Sequence, residues 1–287
     1  MHVLALNGFS GKLEVFPTQS LEGYRPGGFP PTHENTVQND MPWVAGLHAV
    51  LPRLLRVATA DNSLGVSSAQ QAKWRALLRS LPPLPRSTTG KGNDKTVFVA
   101  AQEPYPPHAV LGGSEQPYLY AVHPYRLATV VTGGVNLQIG RQTMATTKNR
   151  IGKGWNQGVM NAALLGLREV AAAAVLSHAS TPNGAMRFPA YLPNMQDFRP
   201  NEDHLSNMRS ALQYMLVQHS DTNSSVYLLP SWPCGNWSVS FKLHVPQRTT
   251  LTGEYNHTTG ALWIHVEPAA RQADVHVLGC SKNTEFV

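Results

Sequence analysis

From Pro42 to Val57 apolar side chains recur every three or four residues, through Trp43, Val44, Leu47, Val50, Leu51, Leu54 and Leu55, a spacing that gathers them on the faces of a helix. Asn39-Asp40 and Pro42 supply its start signal, and Pro52 marks a potential kink. Ser67-Ser68 caps a shorter helix through Trp74, Leu77 and Leu78, which Leu81-Pro82-Pro83-Leu84-Pro85 stops. Thr88 to Lys95 then reads as a loop. A third helix is expected from Asn136 to Asn149, and a longer fourth from Gln157 to His178. The fourth carries Met160, Ala163, Leu164, Leu167, Ala171 and Ala174 along one stripe, whose small residues suit close helix packing. A fifth begins near Asp203 and turns Met208, Leu212, Met215 and Leu216 toward a core until Gln218.

After about Asp221 the period changes from helical to twofold. Val226 to Leu229, Trp237 to Leu243, Thr249 to Tyr255, Ala261 to Val266 and Val275 to Leu278 read as strands, with turns at Asn256 to Gly260 and at Pro268-Ala269-Ala270-Arg271. The expected organisation is a mainly helical domain over residues 1–221 and a β-rich domain over 222–287, a small sandwich or meander.

Composition narrows the class. Of 287 residues 42% are hydrophobic, enough to bury a substantial core, and only 14% are charged, against roughly a quarter in an average domain. Coiled coils and long charged helices are thereby excluded. The net charge of +6 is spread along the chain, the densest run being Lys148, Arg150 and Lys153, so a nucleic-acid footprint is not expected. No run approaches the 18 to 20 or so apolar residues of a membrane span, and the chain reads as soluble, with no membrane partner. Met1 to Leu13 does not read as a secretory signal. Asn223-Ser224-Ser225, Asn236-Trp237-Ser238 and Asn256-His257-Thr258 nevertheless satisfy the N-glycosylation pattern and give the chain an extracellular cast. Cys234 and Cys280 are too few for a disulfide framework and lack the spacing of a zinc site; whether they pair stays open at this point.

Glycine-rich phosphate loops, His-Glu-x-x-His and Gly-x-Ser-x-Gly are all absent, which makes phosphoryl transfer and zinc hydrolysis poor readings. What remains is carboxylates and amides in loops rich in Trp, Tyr, His and Pro, a composition suited to sugars, whose rings stack on aromatic faces. Glu22 sits among apolar and aromatic neighbours, where desolvation would raise its pKa into the range of a general acid; a solvated loop glutamate is the plainer reading. Residues 115–126 pack Tyr118, Tyr120, Tyr125, His123 and Arg126 together, as a sugar pocket or as a buried histidine between prolines and tyrosines. Asp203, before an apolar helix, is either a helix-start acid or a carboxylate aimed at a water. Leu228 to Trp237 is most simply a buried connection.

These segments, taken in order, resemble one family. Pro17-Thr18-Gln19-Ser20-Leu21-Glu22, Leu119-Tyr120-Ala121-Val122-His123-Pro124-Tyr125-Arg126, Gly154-Trp155-Asn156-Gln157, Asn201-Glu202-Asp203-His204 with Leu212 to Gln218, and Leu228 to Pro233 followed by Trp237 to His244 look like the C-terminal half of glycoside hydrolase family 95. The resemblance implies an incomplete (α/α)6 six-hairpin toroid followed by a small antiparallel β-sandwich domain. It implies an α-L-fucosidase-like, inverting hydrolase of terminal α-L-fucosyl or related sugars, in which Glu22 is the acid, Asp203 supports the water-activating amides, and His123, Tyr120, Arg126, Trp155 and His204 contact the substrate. Inversion needs about 6.5 to 9.5 Å between acid and base sites. No metal or organic cofactor is implied. The partners expected are an oligosaccharide or glycan and the missing N-terminal half of the barrel. Departures from the family pattern are Glu202 beside Asp203, Gly23-Tyr24 after Glu22, and five or six helices where the toroid needs twelve. The expectation is therefore a secreted or lysosomal-type glycosidase fragment, with a non-catalytic carbohydrate-binding relic as the alternative.

Overall fold

The computed structural model describes residues 3–6, 11–16, 18, 21, 37–89, 95–103, 116–147, 156–180, 202–280 and 283–287. The chain divides into two compact units, residues 1–128 with 134–150, and residues 129–133 with 151–287.

In the first unit a hairpin pairs β1 (Val3–Leu6) with β2 (Leu13–Phe16), whose alternating burial fits its twofold pattern. Helix α1 (Met41–Ala60) begins where its caps predict: the Asp40 carboxylate accepts the Trp43 backbone N–H at 3.3 Å. It runs through Pro52 as one element. Helix α2 (Ser68–Ser80) is capped by the Ser67 hydroxyl, which accepts the Gln70 N–H at 3.1 Å. Leu13, Leu51 and Leu81 form a cluster closed by Leu47, Trp74, Leu77 and Leu78.

The segment expected as a loop from Thr88 to Lys95 is shorter than that. Its ends belong to β3 (Arg86–Thr89) and β4 (Lys95–Phe98), an antiparallel pair in which the β-branched Thr88, Thr89, Thr96 and Val97 favour extended backbone. Helix α3 (Gly134–Thr146) packs on β4. The Thr143 hydroxyl joins them, accepting the Phe98 N–H at 2.9 Å and donating to the Ile139 carbonyl at 2.7 Å.

The second unit corrects the long fourth helix. It is two helices, α4 (Gly158–Leu164) and α5 (Arg168–Ser180), separated at Gly166. Gly166 has φ +72°, and the Gly166 and Leu167 N–H groups donate back to Ala163 and Ala162 at 3.2 and 3.0 Å, the glycine-terminated helix end that an L side chain disfavours. Every residue of α4 is buried, and α4, α5 and α6 (Glu202–Leu216) pack on one another, with Ala162, Ala163, Ala171, Ala174, Ala211 and Met215 among their buried residues.

Strand β5 (Val217–His219) follows α6 directly, so the fifth helix ends short of Gln218. Then come β6 (Val226–Leu228), β7 (Val239–Val245), β8 (Thr249–Asn256), β9 (Ala261–Glu267), β10 (Val275–Val277) and β11 (Asn283–Phe286). They form two sheets, ordered β10-β6-β5 and β11-β9-β8-β7. The sheets are mixed, not antiparallel as expected, because β10 runs parallel to β6 and β11 parallel to β9. Parallel neighbours need a crossover. The 3-10 turn Ala269–Asp274 lies on that route, and its Arg271 donates to Thr249 Oγ1 at 2.9 Å, to the Ser224 carbonyl at 2.8 Å and to the Asp274 carboxylate. Cys234 and Cys280 are joined in a disulfide. Each unit thus contributes three α-helices among the described residues, the strand-rich part follows the helices in sequence, and the architecture is mixed α and β.

Candidate functional site

The first helical start signal also builds a groove. Asn39 holds the left-handed φ of +49° because its side chain is fixed on both sides: Oδ1 accepts the Val15 N–H at 2.8 Å and Nδ2 donates to Gln102 Oε1 at 2.6 Å. That turn directs Asp40, 0% exposed, into the start of α1. One turn further, Pro42, Trp43, Gly46, Leu47 and Val50 line an open groove of about 350 Å³ whose far wall is Tyr125. Trp43 is 42% and Val50 44% exposed, so an aromatic face and an aliphatic one meet solvent together.

Tyr125 comes from a tight turn. Val122 and His123 N–H groups return to Leu119, Arg126 to Val122, and Leu127 and Ala128 to Ala121, all within 2.8 to 3.1 Å. His123-Pro124 is a cis peptide, and Tyr120 and Tyr125 rings sit 6.2 Å apart at 59°. Gly46 lets Tyr125 approach: a Cβ there would lie 3.0 Å from the Tyr125 hydroxyl. Burial, and then the negative charge of Asp40, push the Tyr125 phenol above its usual pKa, so it stays protonated and able to donate. Burial, and then the Arg126 guanidinium, lower His123 to about 4, which leaves its imidazole neutral at neutral pH.

Of the residues singled out from sequence, Tyr120, His123 and Arg126 are brought together in this turn, beside Tyr125. Glu22 and Trp155 lie outside the described residues. Asp203 and His204 fall in the first turn of α6, in the second unit; their side chains are outside the described residues. Asp40 was visible only as part of a helix start, and Trp43 and Gly46 only as positions in the helical run. The missed signal was a second stripe on α1, Trp43, Leu47, Val50, Leu54 and Val57, stepping by four and three residues, beside the core stripe of Met41, Val44 and Ala45.

Neither protein-family models nor curated proteins match this chain. Among the described residues no three His, Cys, Asp or Glu side chains gather as a metal site, and no helix is long and apolar enough to cross a membrane. The groove offers an indole face, a phenol donor and aliphatic walls, which together suit a flat ligand with one apolar face and hydroxyls at its edge.

Proposed function

We propose that this chain recognises glycans and acts on terminal α-L-fucosyl or related sugars, as an inverting glycoside hydrolase of the family 95 type. The observation that supports recognition is the Trp43–Tyr125 groove: pyranose rings present an apolar C–H face that stacks on indole, and their hydroxyls accept from a protonated phenol. In this reading Glu22 protonates the leaving oxygen and Asp203 holds the amides that activate water, while Tyr120, His123, Arg126, Trp155 and His204 position the sugar. The finer architecture that goes with it is a partial six-hairpin toroid followed by a β-sandwich, acting outside the cell or in a lysosome-like compartment; the Cys234–Cys280 disulfide is compatible with that location.

A second reading, a glycan-binding protein without turnover, is favoured by the groove's lining, where Tyr125 is the sole titratable side chain among the described residues. One experiment separates them. The chain is titrated with an α-L-fucosyl oligosaccharide by calorimetry and assayed for release of free sugar. Trp43→Ala should weaken binding about tenfold, and Glu22→Gln should abolish turnover of the natural glycoside but spare a nitrophenyl fucoside, whose leaving group needs no proton. Trp43-dependent binding without turnover establishes the binding protein, and an oligosaccharide that neither binds nor is cleaved overturns both readings.

A further inference from the structure

The three Asn-x-Ser/Thr triplets all lie in the second unit, and their surroundings differ. Asn223 sits exposed in the turn between β5 and β6, its Oδ1 accepting the Ser225 N–H at 2.9 Å. Asn256, the exposed last residue of β8, accepts the Thr258 and Thr259 N–H groups through Oδ1 at 2.9 and 3.2 Å. In both, the oxygen is the structural atom, and among the described residues no bond to the Nδ2 amide engages it.

Asn236 is exposed like the other two, but its surroundings differ. It follows the disulfide-bonded Cys234 by two residues, and its N–H returns to Pro233 at 3.1 Å. The middle residue of its triplet, Trp237, is half-buried against Trp232, ring centroids 5.4 Å apart. Its hydroxyl residue, Ser238, accepts the His257 N–H at 3.1 Å and meets His257 Nδ1 at 2.9 Å. Because Val239 pairs with Tyr255, the triplets of Asn236 and Asn256 emerge side by side at one end of the sheet.

We propose that Asn223 and Asn256 are N-glycan attachment sites and that Asn236 is not. The disulfide is the independent observation: such bonds persist in oxidising surroundings, of which the compartment where this transfer takes place is one. In the transfer, Asn Nδ2 displaces the pyrophosphate of a lipid-linked oligosaccharide. The C1–O bond breaks, an Nδ2–C1 bond forms, the lipid pyrophosphate leaves with the bonding pair, and the amide gives up one of its two protons. The product keeps Oδ1 as an acceptor, so the bonds that shape both turns survive modification. At Asn236 the side chain is exposed as well, but the Cys234–Cys280 bond two residues before it and the Trp237 ring packed on Trp232 fix the backbone of the triplet, and a glycan on Asn256 covers the same sheet end. This proposal stands apart from the groove in the first unit.

The test uses the full chain behind a cleavable secretory leader in eukaryotic cells. The secreted protein is treated with peptide N-glycosidase in heavy-oxygen water and mapped by peptide mass. Heavy-oxygen aspartate at positions 223 and 256, with Asn236 unchanged, is the expected result; Asn223→Gln and Asn256→Gln should each remove one glycan step on a gel. An unmodified Asn223 or Asn256, or a glycan on Asn236 with Asn256 bare, overturns the proposal. Translation of the same chain into microsomes, which scores transfer without requiring secretion, must show the same two sites, and an unmodified imported chain likewise overturns it.

Discussion

Asp40 serves the start of α1 and the groove through one carboxylate, and the two roles separate by substitution. Asp40→Ala removes the acceptor for the Trp43 N–H and should cost about 1 kcal/mol in chemical denaturation. Asp40→Asn keeps an acceptor but removes the charge, so the Tyr125 phenol should titrate closer to its usual pKa while burial still holds it high. Tyrosinate absorbance against pH reads this directly, and an unmoved titration would show that the phenol does not feel the carboxylate. For His123 the linkage has the opposite sense to an ion-paired histidine. The unfolded chain takes up a proton near pH 6.5, whereas the folded imidazole resists it to about 4, so its contribution is complete above 6.5 and is lost as the pH falls through that window. The unfolding free energy from chemical denaturation should fall there by up to about 3 kcal/mol, and His123→Gln should flatten the slope.

At the scale of elements, two glycines decide geometry that hydrophobic pattern does not express. The apolar stripe from Met160 to Ala174 runs unbroken through Gly166, and so reads as one helix; the backbone instead closes α4 there, because only glycine takes φ +72° without strain. Gly166→Ala should cost about 1 kcal/mol and loosen the α4–α5 junction, seen as faster amide exchange at Leu167. Gly253, in the middle of β8, has a different reason. A Cβ there would lie 2.8 Å from both the Phe241 ring and the Trp263 carbonyl, and since the carbonyl is backbone the sheet itself must shift. Gly253→Ala should destabilise the second unit by about 1 to 3 kcal/mol, measured by thermal unfolding.

For the whole molecule the disulfide is the main covalent constraint. It spans 46 residues and ties the connection after β6 to the one after β10, with the Tyr255 hydroxyl donating to the Cys234 carbonyl at 2.8 Å. By chain entropy, reduction should lower stability by about 4 kcal/mol. Amide exchange should accelerate in β6, β8 and β10 and remain unchanged in α1 and α2; an even acceleration across both units would show that they unfold as one.

Local chemistry was legible wherever one or two neighbouring residues decide the outcome. Asp40 and Ser67 as caps, the proline stop after α2, and the strands β6 to β10 are set by backbone hydrogen-bonding needs and by which side chains fit helix or pleat, all of which act within a few residues. A change from helix to strand is legible for the same reason, though it was expected after about Asp221 and comes at Val217, where β5 takes the residues expected to end the helix. Tertiary structure alone decided what depends on partners far apart in sequence: the parallel pairing of β10 with β6 and β11 with β9, the Cys234–Cys280 bond, and the meeting of Trp43 with Tyr125. A periodic pattern says that a residue is apolar and which helical face it shares, but not which segment returns to cover that face; on α1 Leu51 is covered, while Trp43 and Val50 are left open as a groove.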